Sequence, residues 1–418
     1  MSHIKDIFAE EVKDSRGKPT IKATVETNKG SFSAMVPSGA STGSNEALEL
    51  RDADGVGVLT AIKNVNEIIA PKLKGMDVVN QREIDRTMIE LDGTENKSKL
   101  GANAILSVSL AVARAGAAAK KVPLYKHISE IAGVEISKKM PLPMFNILNG
   151  GRHAKNGLDI QEFMIVPHKK TFAENLVVCN KIFNNLKENI EKSFGKDHLE
   201  LGDEGGFAPP VKTTEQALYL LKNAVDGEAD VKFALDCAAS EFYKSAPSGG
   251  GKYILDGQEF TDAGLLEFYK DLIEKFPIIS IEDPFAEEDW NGFESIVPAC
   301  RQAGDRLGRE IIIVGDDLTT TNIKRIKDAK NKKACTGIIL KLNQIGTLSE
   351  TIDAANLARG AGWKNIVSHR SGETMDTFIA DLAVGINADF LKAGSPAKEE
   401  RMAKYGRLME IEVELNKK

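Results

Sequence analysis

Three acidic residues stand where apolar runs give out: Asp236 in VKFALD (231–236), Glu282 in IISIED (278–283) and Asp316 in IIIVGDD (311–317). Gathered at one place they repel one another unless a cation lies between them. All-oxygen ligation, with no cysteine or histidine in step, suits a hard ion such as Mg2+. Taken singly, each carboxylate is as readily a helix cap or a surface ion pair. Lys341 closes the next run, GIILK (337–341). Beside a cation and partly desolvated, its amine is expected to lose its proton more easily and to serve as a base. Lys392, in FLKAGS, is a second cation of this kind, and the two lower each other's affinity for protons. HRSG (369–372) offers the Arg370 guanidinium and the Ser371 hydroxyl, followed by backbone amides, a combination suited to phosphate. GDEGG (202–206) sets Asp203 and Glu204 on a loop whose glycines let backbone approach a ligand, although a structural turn explains the same residues. SGGGK (248–252) lacks the outer glycine and the Ser/Thr of a phosphate loop and reads as a flexible loop.

The elements that must position these groups repeat from about residue 141: a short apolar run, a polar or charged residue, then a helical stretch. EFMIV (162–166) and NIVSH (365–369) complete the series. Runs without polar alternation suit strands buried on both faces. From Asp236 the steps are 46 residues to Glu282, 34 to Asp316, 25 to Lys341 and 28 to His369, each the length of one β-α unit with or without an insertion. In a β/α barrel such strand ends converge on one mouth. A doubly wound open sheet shares the local pattern and is the other candidate. Ahead of the series, Ile7–Val12, Lys22–Thr27 and Ser31–Met35 read as strands, with a turn at 28–30, and helical patterns follow at Leu59–Ile69, Gln81–Leu91 and Ala102–Lys120. Pro123, Pro141 and Pro143 bracket a boundary near 125–140.

The chain of 418 residues is long enough for a small α+β domain and a barrel, and 42% apolar residues supply a large core. A net charge of −6 argues against a nucleic-acid footprint, which needs a basic face. The opening residues lack an apolar signal region, and Ala102–Ala119, interrupted by Arg114, falls short of a membrane span. A soluble, cytoplasmic protein is expected. Cys179, Cys237, Cys300 and Cys335 lie far apart, which favours free thiols.

Long motifs carry a resemblance to one family. They include DSRGKPT (14–20), PSGASTGSNEALELRD (37–52), DGTENKSKLGANAILSVSLA (92–111), QEFMIVP (161–167), GDEGGFAP (202–209), LDCAASEFY (235–243), SIEDPF (280–285), GDDLTTTN (315–322), LKLNQIGTLSE (340–350) and SHRSGET (368–374). Through them nearly the whole chain resembles the enolases. The resemblance implies an α+β N-terminal capping domain over residues 1–130 and an eight-stranded, irregularly starting β/α barrel over 138–418. It implies reversible dehydration of 2-phospho-D-glycerate to phosphoenolpyruvate, in glycolysis and gluconeogenesis, with two Mg2+ per site. Asp236, Glu282 and Asp316 would hold the first ion; Ser41, on a mobile loop, would hold the second, which binds with substrate. Lys341 is then the base at C2, and Glu204 the acid that helps hydroxide leave C3. Glu162, beside Glu204, would favour its protonated form. His153, Gln161, Glu162, Arg370, Ser371 and Lys392 would contact the phosphorylated substrate, with His369 in the catalytic group. A homodimer or larger homo-oligomer is implied. Around Lys392 the chain reads ADFLKAGSP, where a Gln-Ile-Lys-Thr-Gly-like string is expected, and the loop Arg152–Gly157 also varies. Two other readings remain at this stage. One is a relative acting on a different acid, against which the Ser41 loop and HRSG both argue. The other is a surface receptor or assembly partner using the Lys417-Lys418 pair, which a solvated tail explains equally.

Overall fold

The computed structural model describes residues 2–39, 43–245 and 251–417. Strands β1 (Asp6–Lys13), β2 (Pro19–Thr27) and β3 (Gly30–Met35) form an antiparallel meander. Thr27 shapes its second turn: the hydroxyl donates to the Gly30 carbonyl and accepts from the Lys29 amide. Against this sheet lies the helix Ala102–Lys120. By length and composition this helix could cross a membrane, at 19 residues and a mean hydropathy of 1.4, so the sequence reading that held it too short needs correction. Its surroundings explain its composition: 83% of the apolar window is buried inside the protein. Alanine, serine and glycine at most positions let the sheet and neighbouring helices pack closely around it.

The second half resolves the choice between sheet types. Strands β4 (Leu142–Asn149), β5 (Glu162–Pro167), β6 (Val231–Asp236), β10 (Ile278–Glu282), β11 (Ile312–Gly315), β12 (Gly337–Leu340), β13 (Lys364–Ser368) and β14 (Phe390–Lys392) close into a barrel, in the order β10-β11-β12-β13-β14-β4-β5-β6. A separate three-stranded sheet of β7 (Tyr243–Ser245), β8 (Gly251–Leu255) and β9 (Gln258–Phe260) fills the long interval between Asp236 and Glu282. Lys252, from the glycine-rich segment, lies in β8 and pairs with Glu259 at 2.7 Å; residues 248–250 of that segment lie outside the described residues. All neighbouring barrel strands are parallel except around β5, which runs antiparallel to both β4 and β6.

Inside the barrel, Met144, Met164, Val166, Ala234, Ile279, Ile312, Val314, Ile339, Ile366 and Phe390 form a closed apolar layer. The opposite faces of the strands join the main core beneath the surrounding helices. The four cysteines are buried and unpaired, as expected of structural thiols. Contacts tie the small domain to the barrel: Arg114 grips Asp376 through two bonds of 2.7 Å, and the buried Asp85 carboxylate accepts from the Ser349 amide at 3.0 Å.

Candidate active site

Side chains alternate across a strand, so the residue two beyond each member of the apolar layer also points into the barrel, one level nearer its rim. From Ala234 that residue is Asp236; from Val314, Asp316; from Ile339, Lys341; from Ile366, Ser368; from Phe390, Lys392. On the reversed strand β5 the direction inverts, and Glu162 precedes Met164. That is why EFMIV carries its acid at the start of the run. On β10 a register shift between Ile278 and Ser280 changes the alternation, and Glu282 still reaches the same level opposite Asp236.

Glu162, Asp236 and Glu282 thus form a row across three adjacent strands. Lys392 reaches across to them, with Nζ at 2.7 Å from Glu282, 2.9 Å from Asp236 and 3.3 Å from Glu162. Burial opposes its charge, but these carboxylates outweigh burial and hold its pKa well above the ordinary lysine value. Lys341 behaves alike. Burial favours the neutral amine, whereas the Asp316 carboxylate in direct contact raises the pKa. Lys392 does lower the Lys341 pKa, as expected, but Asp316 outweighs it and the net shift is upward. Burial and the charge of Glu204 push Glu162 well upward, while burial and Asp236 do the same to Glu282. Asp316 is below the usual range, since Lys341 and Lys392 overcome its burial. Its second oxygen accepts from Gln344 at 2.9 Å, and Asp283 pins its backbone by accepting the amides of Asp316 and Asp317 at 2.9 and 2.7 Å.

Glu204 enters from the segment between the helices Phe172–Phe194 and Thr214–Val225, held by Asn146 at 3.0 Å and flanked by His369 at 3.2 Å and His153 at 3.8 Å. Burial works against its charge, but the two histidines outweigh it and lower its pKa well below the usual value. Burial and mutual repulsion thus raise the pKa of Glu162 while the histidines lower that of Glu204. His369 is itself held neutral, its pKa lowered to about 4 by burial, with Arg401 adding to the effect.

His153, Gln161, Glu162, Glu204, Asp236, Asp316, Lys341, His369, Arg370, Ser371 and Lys392 all line one cavity at this mouth. Glu282 adjoins it through Lys392. Ser41 lies outside the described residues. Sequence reasoning missed several supporting groups. Glu46 holds the Arg370 guanidinium at 2.8 and 3.2 Å, and Asp283 and Asp317 also line the cavity. The last two sit inside SIEDPF and GDDLTTTN, where doubled acids were the available signal.

Among the described residues, trios with mutually close ligand atoms are His153–Glu162–Glu204 and Asp283–Asp316–Asp317, each within 4.8 Å. Asp236, Glu282 and Asp316 do not form such a trio; Lys392 and Lys341 stand among their oxygens. The donor chemistry nonetheless fits a hard cation. All three offer carboxylate oxygens, and Glu282 Oε1 is buried without a hydrogen-bond partner.

Comparison with known proteins agrees with this arrangement. Residues 4–128 match the family model for the enolase N-terminal domain, and 137–418 that for the enolase C-terminal TIM barrel domain. The chain is 52% identical to an enolase of Methanocaldococcus jannaschii, 51% to one of Thermococcus gammatolerans and 50% to enolase B of Dictyostelium discoideum. In each case the match covers 99% of this chain and 95% of the relative. With both halves matched and the charged mouth formed at the barrel's strand ends, the chain belongs to the enolase family.

Proposed function

We propose that this protein is a phosphopyruvate hydratase, a hydro-lyase that interconverts 2-phospho-D-glycerate and phosphoenolpyruvate in glycolysis and gluconeogenesis. The observation that carries the reading is the mouth in which the buried carboxylates of Glu162, Glu204, Asp236, Glu282 and Asp316, two lysines and the HRSG loop come together. Removing the C2 proton places a second negative charge on a group that is already a carboxylate, so the site must supply positive charge where that charge develops. Asp236, Glu282 and Asp316 would hold Mg2+, which would supply that charge and would offset the Asp316 charge that favours protonated Lys341.

Lys341 enters from the end of β12 and takes the C2 proton. Glu204 comes from the segment between the helices Phe172–Phe194 and Thr214–Val225, beside β4, and Asn146 and His369 orient it toward the C3 hydroxyl. In this reading base and acid act on opposite faces of the substrate, as anti elimination requires. Glu162, whose carboxyl pKa is raised by burial and by Glu204, supports Glu204 in its role as the acid. Arg370 and Ser371 bind the phosphate, with His153, Gln161 and Lys392 completing the substrate contacts and Ser41 contributing to a second Mg2+ that arrives with substrate. In the same reading residues 1–130 cap the barrel of residues 138–418, and the protein works in the cytoplasm as a homodimer or larger homo-oligomer.

The absorbance of phosphoenolpyruvate tests the reaction: no rise with 2-phospho-D-glycerate and Mg2+ sinks the assignment. Solvent exchange at C2 tests the roles. Lys341→Ala should abolish exchange, whereas Glu204→Gln should permit it and block dehydration; equal loss in both contradicts them.

A further inference from the structure

His369 and Glu204 are joined on one side of the mouth, and the partner behind His369 comes from the far end of the chain. Arg401 lies in the first turn of the helix Glu399–Asn416 and is fully buried. Its Nη1 lies 2.7 Å from His369 Nδ1 and donates to the Arg370 carbonyl at 2.6 Å; its Nη2 donates to the Ser371 carbonyl at 2.7 Å. A guanidinium has donors only and keeps its charge in proteins. The bond to His369 therefore has one direction: Nδ1 must present a lone pair. A proton at Nδ1 would face a donor and a positive charge at hydrogen-bond distance. The remaining imidazole proton then resides on Nε2, 3.2 Å from Glu204 Oε2.

The surroundings leave this arrangement little freedom. The His369 backbone amide donates to the Lys392 carbonyl at 2.9 Å. Gly394 has φ +86°, and a Cβ there would stand 3.0 Å from both the Arg401 Cδ and the His369 Cε1. One turn along the helix, Lys404 pairs with Glu373 at 2.7 Å, and Glu373 accepts the amides of Arg370 and Thr374 at 3.3 and 3.0 Å. The same helix thus grips both ends of the loop that carries His369, Arg370 and Ser371.

We propose that Arg401 is a positioning residue for the dehydration, holding His369 as its neutral Nε2–H tautomer against Glu204 and fixing the loop that presents Arg370 and Ser371. The proposal rests on the functional reading above for its effect on turnover, and on geometry alone for the tautomer. Tautomer choice by the partner of the other ring nitrogen is a general property of histidine. Loss of such a partner elsewhere costs on the order of 10- to 100-fold in activity.

Nitrogen NMR on protein labelled at its 6 histidines tests it, with His369 assigned by H369N. At pH 7 the wild-type protein should show His369 bare at Nδ1 and protonated at Nε2. A proton on Nδ1 overturns the proposal before any variant is made. R401M should lose the single-tautomer signature and about 10- to 100-fold in kcat, with KM changing less. R401K keeps the charge and a donor and should recover part of kcat together with the Nε2–H signal; it serves alone if R401M does not fold, and should then fall between wild type and H369N in kcat. A variant that folds with wild-type kcat and an unchanged His369 signature overturns the assignment. Absence of phosphoenolpyruvate formation by the wild type would sink the functional reading while leaving the tautomer result standing.

Discussion

Two levels of the same barrel strands, two residues apart, obey different physics. At the lower level Met144, Ala234, Val314, Ile339, Ile366 and Phe390 interdigitate without a polar atom. One step nearer the rim Asp236, Asp316 and Lys392 are buried almost as deeply and Lys341 is half-buried, held by each other more than by solvent. The lower level supplies folding free energy through apolar burial. The upper level costs desolvation and is tolerable only while its charges remain matched. Stability and chemistry are thus stacked along one axis, and a change at either level should be felt in a different measurement.

The largest separation is expected at Lys341. Its replacement by alanine should lower turnover about 10²- to 10⁴-fold, the range of a lost general base; retention of most activity in the phosphoenolpyruvate assay would break the division of labour. A paired test on β14 comes next. Phe390→Ala should destabilise by about 3–5 kcal/mol through a cavity, and turnover per folded molecule should be nearly retained. Lys392→Met should cost a similar 3–5 kcal/mol, because three buried carboxylates lose their cation. Urea unfolding with and without Mg2+ distinguishes them: with Lys392 gone Mg2+ replaces the lost counter-charge, so it should stabilise Lys392→Met more than the wild type, whereas Phe390→Ala should gain only as much as the wild type.

A smaller effect concerns a buried group with no such matching. His127 is 0% exposed, neither ring nitrogen has a hydrogen-bond partner, and burial lowers its pKa to about 4. Between that value and the ordinary 6.5 the unfolded chain binds the extra proton, so stability is complete above about pH 6.5 and falls as the pH drops toward 4, by about 3 kcal/mol in all. His127→Leu should remove that share of the slope; identical pH profiles for the two proteins would contradict it. Smallest is Ile339→Val, at about 0.5–1.5 kcal/mol in urea unfolding, with unchanged kcat.

Much of this was legible in the chain. Continuous apolar runs ending in charge gave the barrel strands and most mouth residues, because burial on both faces and a polar end leave a local trace. The direction of β5 left none: antiparallel pairing depends on neighbours, not on the five residues of EFMIV. Proton placement was equally hidden. The low Lys341 pKa expected beside a bound cation has no counterpart without one, since Asp316 raises Lys341 and three carboxylates raise Lys392. Arg401 looked like any helix charge, since nothing in ERMAK shows that His369 lies behind it.

The reversed strand also bears on the order in which the barrel assembles. β4, β5 and β6 pair antiparallel through neighbours, and Asn149 meets Glu162 after a short loop, so this pairing carries a low closure entropy. The opposite extreme is the seam between β14 and β4, where Phe390 pairs with Leu142, 248 positions earlier. Contacts so distant in sequence form slowly. Lys392 rides on the strand of that seam, whereas Glu162 lies on β5 and Asp236 on β6. A seam that closes last would desolvate these carboxylates only as it delivers their counter-charge, so that no compact state need hold unmatched buried acids.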